Sequence, residues 1–314
     1  MEIGEPSSEF FIRRGVRQGC ILSPKLFNLY TDPIFRETED SSGVNIGGAN
    51  ITNIRYADDT VLLAESENAL QILIDIVRDE SLTRGLRMNL TKTKVMVISR
   101  QSTPPKAAIK VNDTTLKQVS TFKYLGHTVT DNGKCDTEVR KRIEIARQKF
   151  LNIKGIQTTQ NLTINTRKRL IKCYITSTLL YASETWTFNK ELLNKISSFE
   201  MWMYRKMLKI SYTDHVTNEE VLRRVGEKPS LTKNIVKRKL QYFGHIIRQD
   251  SLQKFLIEGK VDRKRGRGRP RRTWLSDVTG WTGYNLVQCV REAVNRKCWR
   301  DITASAPLVA ATRR

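Results

Sequence analysis

Near residue 135 the apolar spacing of this 314-residue chain changes from two to three or four, and that change limits the fold more than any other feature. Before it, short apolar runs at 44–46, 51–56, 60–64 and 94–99 are separated by Gly47-Gly48-Ala49-Asn50, Asp58-Asp59 and other turn-forming residues. Such runs read as short antiparallel strands joined by hairpins. Ser23-Pro24 has the order of an N-cap followed by proline at the first helical position, so a helix is expected from Lys25 to a kink near Asp32 and Pro33. A second helix, from Ser66, carries Leu70, Leu73, Ile74 and Val77 on one face and stops at Gly85.

Beyond residue 135, Val139, Ile143, Ala146 and Phe150 fall on one helical face. Leu193, Ile196, Met203, Met207 and Ile210 line another helix, and Val236, Leu240, Phe243 and Ile247 a third. Thr217-Asn218-Glu219-Glu220 has capping-box spacing. Trp274, Trp281, Val290, Val294 and Trp299 mark a terminal helical segment that packs back on the body. The apolar stripes themselves read as helix-bundle core. The fold class is therefore α+β: antiparallel strands first, then helices.

Charge divides the chain at a similar place. Residues 1–100 hold 12 basic and 14 acidic side chains, a net −2, whereas the remaining 43 basic and 18 acidic residues carry +25. A long anionic partner is implied, nucleic acid ahead of any membrane surface. No apolar run reaches the roughly 20 residues of a membrane span, and Met1-Glu2-Ile3-Gly4-Glu5 lacks a basic flank, so an intracellular location is expected, nuclear ahead of cytoplasmic. The five cysteines are scattered without a CxxC, which spells out neither a disulfide framework nor a zinc knuckle.

Two segments carry chemistry. Tyr56-Ala57-Asp58-Asp59 sits between two apolar runs, where paired carboxylates at a hairpin tip can hold divalent cations; by itself such a pair is more often ordinary turn chemistry. Residues 263–272 hold seven basic side chains in ten, with glycines that keep the segment extended. Its Arg267-Gly268-Arg269-Pro270 resembles the core of an AT-hook, which lies in the narrow minor groove of A·T-rich duplex. A solvated basic linker or a nuclear-import signal is an equal reading of this tract, whose contacts would come from Arg265, Arg267, Arg269, Arg271 and Arg272.

Four motifs in order resemble those of reverse transcriptases. Residues 15–30, from Gly15-Val16-Arg17-Gln18-Gly19-Cys20 through Ser23-Pro24 to Asn28-Leu29-Tyr30, are similar to the B motif, and Tyr56-Ala57-Asp58-Asp59 to the C motif. Gly85-Leu86-Arg87-Met88-Asn89 with Lys92-Thr93-Lys94 resembles the D motif, and Phe122-Lys123-Tyr124-Leu125-Gly126 the primer grip. The flavour is that of LINE-type, non-long-terminal-repeat retrotransposons of the endonuclease-plus-reverse-transcriptase kind. Leu240-Gln241-Tyr242-Phe243-Gly244-His245 and Gly268-Arg269-Pro270-Arg271-Arg272-Thr273-Trp274 resemble their C-terminal region less specifically.

The resemblance implies RNA-directed DNA synthesis with Mg2+ or Mn2+, deoxynucleoside triphosphates, an RNA template and a DNA primer. Asp58 and Asp59 would be the catalytic metal ligands, with small Ala57 leaving room for the primer end. Gln18 and Gly19 would lie under the templating pair. Lys92 or Lys94 would support the leaving pyrophosphate, unless they are simply solvated strand-end lysines. Lys123, Tyr124, Leu125 and Gly126 would hold the primer strand, while His127 and His245 receive no catalytic role. The implied layout is a partial palm over 1–127, a helical thumb over 128–212 and a basic helical C-terminal region over 213–314.

The resemblance also carries a departure. The family takes a further metal-binding aspartate from an A motif, and its fingers, from segments ahead of the B motif, and about 14 residues precede Gly15 here. Asp32 is the nearest spare acid and does not match. The expectation is a C-terminal piece of a reverse transcriptase, inactive by itself; the competing expectation is a noncatalytic nucleic-acid-binding remnant that uses its basic half. With palm strands missing, an unsatisfied sheet edge or an apolar face around residues 51–64 should be left uncovered.

Overall fold

The computed structural model describes residues 15–17, 19–99, 101, 103–159, 161–257 and 272–312, with side chains to residue 306. The chain divides into two compact units. One comprises Met1–Val95 and Lys106–Gln118, the other Met96–Pro105 and Val119–Arg314. Every described strand pairs only with its hairpin neighbour, giving four two-stranded antiparallel sheets among many helices. The architecture is α+β.

The first unit opens with α1 (Ser23–Arg36). Ser23 does not cap it. Its hydroxyl donates to the Arg17 carbonyl at 2.7 Å, and Leu22 takes the N-cap position. The helix continues through Pro33 without restarting, and Ile34 and Phe35, buried beyond it, hold the last turn. Hairpins β1 (Val44–Ile46) with β2 (Ala49–Ile51) and β3 (Asn53–Tyr56) with β4 (Asp59–Leu62) follow. The strand expected over 51–56 is thus broken at Thr52. Its buried hydroxyl lies 3.1 Å from that of Thr38, and its carbonyl accepts from the Leu63 amide at 2.7 Å.

Helix α2 (Glu67–Thr83) is capped by the Ser66 side chain, which accepts from the Ala69 amide, and Gly85 follows its end at φ +71°. The strand expected over 94–99 does not form. Only Val95 finds a partner, a single parallel bridge to Gln118, and a ladder needs a neighbour along its whole length. The short hairpin β5 (Lys110–Val111) with β6 (Thr114–Thr115) completes the unit. Its interior is two small clusters, one around Ile74, Val95, Ile109, Val111 and Leu116, the other of Ile34, Phe35 and Val77. Leu62 and Met88 pack against both.

The second unit starts with hairpin β7 (Thr121–Tyr124) and β8 (His127–Thr130). Helices α3 (Asp136–Asn152), α4 (Lys154–Thr158) and α5 (Ile164–Leu170) follow; a π-helical stretch (Ile171–Thr176) joins α5 to α6 (Ser177–Leu179). Then come α7 (Lys190–Met207), α8 (Asn218–Val225), α9 (Leu231–Ile247), α10 (Leu252–Ile257), α11 (Trp274–Thr282), α12 (Leu286–Val294) and α13 (Arg296–Thr312). The expected stripes are core: Val139, Ile143, Ala146 and Phe150 on α3, Ile196, Met203 and Met207 on α7, and Val236, Leu240, Phe243 and Ile247 on α9 are all buried in one continuous cluster. Trp281 and Trp299 join it, whereas Val294 stays exposed. Helix α9 packs against α7, α11, α12 and α13. That single interior runs through both 128–212 and 213–314 and is far larger than either cluster of the first unit.

Candidate nucleic-acid and metal site

The carboxylates stand at the tip of the β3–β4 hairpin. Tyr56 pairs with Asp59, so Ala57 and Asp58 form a two-residue loop. Ala57 takes φ +52°, as a primed hairpin turn requires at its first central position, and a left-handed non-glycine backbone is a strained one. Asp58 and Asp59 are both exposed, and no described residue forms an ion pair or side-chain hydrogen bond with either carboxylate. The root of the hairpin is fixed by Leu62, which packs into both clusters of the unit.

Hard, oxygen-only donors suit Mg2+ or Mn2+. Two adjacent carboxylates fit part of such a site. No third His, Cys, Asp or Glu joins them among the described residues, so the rest of an octahedral shell would come from water, nucleotide phosphate or another carboxylate. Asp32 is not a candidate: Arg36 Nε at 2.8 Å and Arg55 Nη2 at 3.2 Å engage it, and those hydrogen bonds hold its carboxyl below the usual range. Arg55 also lies 4.7 Å from the centroid of the Phe35 ring, tying β3 to α1.

The other expected residues of this unit fall as follows. Gly19 has φ +85° with nothing within 4 Å of where a Cβ would be, which leaves its backbone open to close approach. Gln18 lies outside the described residues. Nearby, the backbone N–H groups of Leu22 and Ser23 hold the exposed Cys20 thiol below its ordinary range. Asn89 builds the turn before the two lysines: its side-chain oxygen accepts from Thr91 Oγ1 at 2.6 Å and from the Lys92 amide at 3.1 Å. Lys94 donates to the Thr91 carbonyl at 2.6 Å, whereas Lys92 is exposed. Met88, just before this turn, shares its core clusters with Leu62 of the carboxylate hairpin.

In the second unit, Lys123 is exposed and Tyr124 half-buried on β7, and Leu125 and Gly126 form the turn into β8. His127 stands with Nδ1 3.5 Å from Glu138 Oε1, and burial lowers its pKa against the pull of that carboxylate. Of the basic tract, Arg265, Arg267, Arg269 and Arg271 lie outside the described residues. Arg272 is engaged: its Nε and Nη2 both meet Asp277 Oδ1 at 2.9 Å. Sequence reasoning missed Asp277 itself, which is fully buried and bridges Arg272 to Lys239 of α9. Lys239 falls within the apolar stripe of α9, three residues after Val236 and four before Phe243, and that placement was the available signal.

Comparison with known proteins follows this geometry. Residues 2–129 match the family described as reverse transcriptase (RNA-dependent DNA polymerase). A transposon-derived protein of Caenorhabditis elegans is 27% identical over 264 residues, covering 82% of this chain and 86% of that protein. The Pol polyprotein of the type-2 retrotransposable element R2DM of Drosophila melanogaster is 35% identical over 142 residues, 42% of this chain and 13% of the polyprotein. The RNA-directed DNA polymerase of the mobile element jockey of Drosophila funebris is 22% identical over 211 residues, 64% of this chain and 22% of that enzyme. The chain thus spans most of the nematode relative and under a quarter of the length of either polymerase.

Proposed function

We propose that this chain, a relative of the reverse transcriptases of LINE-type retrotransposons, supplies one carboxylate edge of a polymerase site and binds the nucleic acid on which that site acts. The strained Ala57 turn with two exposed carboxylates at its tip carries the reading. A divalent ion at this tip would supply the charge that activates a primer 3′-hydroxyl and neutralises the triphosphate under attack. Asp58 and Asp59 would hold it, Gly19 would admit the templating pair, and Lys92, whose exposed side chain is not held as that of Lys94 is by the Thr91 carbonyl, would face the leaving phosphates. Lys123 and Tyr124 would meet the primer strand. Residues 1–127 then act as part of a palm, 128–212 as a thumb and 213–314 as a basic nucleic-acid-binding region.

Among the described residues no third carboxylate stands beside the pair, so a divalent ion there would lack a full set of protein ligands. The chain by itself is therefore expected not to extend a DNA primer on an RNA template with Mg2+ and all four deoxynucleotides. It is expected to bind that duplex, with an affinity that falls steeply as salt rises. An A·T-rich DNA competitor should displace the duplex better than a G·C-rich one if the 263–272 tract reads the minor groove, and equally if it only meets phosphates. Extension that disappears in Asp58→Asn would overturn the inactivity. Absence of duplex binding at low salt would overturn the reading as a whole. The charge distribution favours a second reading, binding without catalysis, in which Asp58→Asn leaves every property of the chain unchanged.

A further inference from the structure

The turn between β7 and β8 is built in an uneconomical way. Leu125 has φ +47° and Gly126 φ +77°, so both central residues of this two-residue hairpin are left-handed. Such a turn is met most simply by Asn-Gly or Asp-Gly, which need no outside support. A leucine there disfavours the conformation by a factor of roughly 5 to 30, because its Cβ approaches the following carbonyl. Strained backbone persists only where its surroundings over-determine it.

Three side chains of the helical body do so. The Tyr181 hydroxyl donates to the Leu125 carbonyl at 2.8 Å, and Arg142 Nη2 donates to the Gly126 carbonyl, so both carbonyls of the loop are held. Arg142 is itself fixed: its Nε donates to Glu138 Oε1 at 2.7 Å, and its guanidinium lies 4.5 Å from the centroid of the Tyr181 ring. Glu138 is 2% exposed, and its other oxygen accepts from the amide of Thr128, on the strand leaving the turn, at 2.9 Å. A Cβ on Gly126 would meet the Tyr181 ring at 3.6 Å, an ordinary contact, so φ and not space makes glycine necessary there.

We propose that Glu138, Arg142 and Tyr181 are positioning residues that hold the Leu125-Gly126 turn in its left-handed form and so fix how Lys123 and Tyr124 face a bound primer strand. The first half of this inference stands on geometry alone; the second rests on the functional reading above. Arg142 and Glu138 meet each other and the hairpin at every strong contact, so their charges serve the turn and not a ligand.

The test uses the full chain with Tyr181→Phe, Leu125→Gly and the double variant. In the free protein, Tyr181→Phe should speed hydrogen exchange across 121–130 about fivefold, the size of one hydrogen bond, and leave α7 and α9 unchanged. Adding Leu125→Gly removes the strain the hydroxyl was opposing and should restore slow exchange. With an RNA template and a DNA primer carrying 2-aminopurine at its 3′ end, Tyr181→Phe should alter the terminal fluorescence at unchanged duplex affinity, and the double variant should recover it. Equal acceleration in α7 and α9, or no rescue by Leu125→Gly, would overturn the positioning role. Rescued exchange with a primer-end signal that never responds would instead refute the primer-strand reading while the clamp stands.

Discussion

Lys239→Ala should destabilise the larger unit by about 3–5 kcal/mol, the loss expected when one partner of a buried ion pair is removed. Lys239 and Asp277 are both fully buried, with Nζ 2.5 Å from Asp277 Oδ2 and 2.6 Å from the Trp186 carbonyl. The rings of Trp274, Trp281 and Phe188 surround the ammonium at 4.9, 5.5 and 5.6 Å. Burial pulls the lysine pKa down, to about 8, against the attraction of Asp277. Without Lys239, Asp277 keeps Arg272 and the Phe188 amide, which donates to it at 2.9 Å, among the described residues. Urea unfolding followed by circular dichroism reads the loss as a lower midpoint at unchanged slope. Combining Lys239→Met with Asp277→Leu should lose less than Lys239→Ala does, because no charge is then left buried. A single-variant loss under about 1 kcal/mol would mean that the pair is not dry as described.

Gly244→Val should cost about 3 kcal/mol, at the upper end for overpacking a filled interior. A Cβ on Gly244 would stand 2.3 Å from Trp299 Cδ1 and 2.5 Å from Nε1. The indole cannot easily yield: its N–H donates to the Leu240 carbonyl at 2.7 Å, and its ring lies 5.2 Å from that of Phe243. Alanine adds one carbon and gains helix propensity worth about 1 kcal/mol, yet it should still destabilise. Tryptophan fluorescence through a urea titration measures both. A Gly244→Ala chain as stable as the original would show that α9 and α13 do not approach as closely as this glycine implies.

These two sites explain much of what the sequence did and did not disclose. Apolar period alone placed α3, α7 and α9 and their buried faces, because helix cores are chosen by area removed from water. The carboxylate hairpin was also legible, since Asp-rich turn chemistry and flanking apolar runs point to it, but its turn lies one residue earlier than the Asp58-Asp59 expected: Ala57 and Asp58 form the loop, and Asp59 opens β4 opposite Tyr56. Charged residues inside the fold were not, because their burial depends on tertiary partners that the apolar pattern does not name: Glu138 answers the Thr128 amide on the preceding hairpin, and Lys239 answers a carboxylate 38 residues away. The strands failed for the same reason. Thr52 leaves the ladder to meet Thr38, and residues 94–99 lack a neighbour to pair with beyond Val95, and neither fact is written in local β-propensity. The apolar face expected around 51–64 is visible as exposed Ile54 and Tyr56.

The proposed divalent-metal edge at the tip of the β3–β4 hairpin can be probed directly. Titrating Mn2+ into the isotopically labelled chain and following paramagnetic broadening of amide resonances tests it without requiring catalysis. Tyr56, Ala57, Asp58 and Asp59 should broaden first, at ion concentrations where residues of α9 stay sharp, and Asp58→Asn with Asp59→Asn should abolish this. Broadening that begins elsewhere in the first unit, or that persists at the hairpin in the doubly substituted chain, would contradict it.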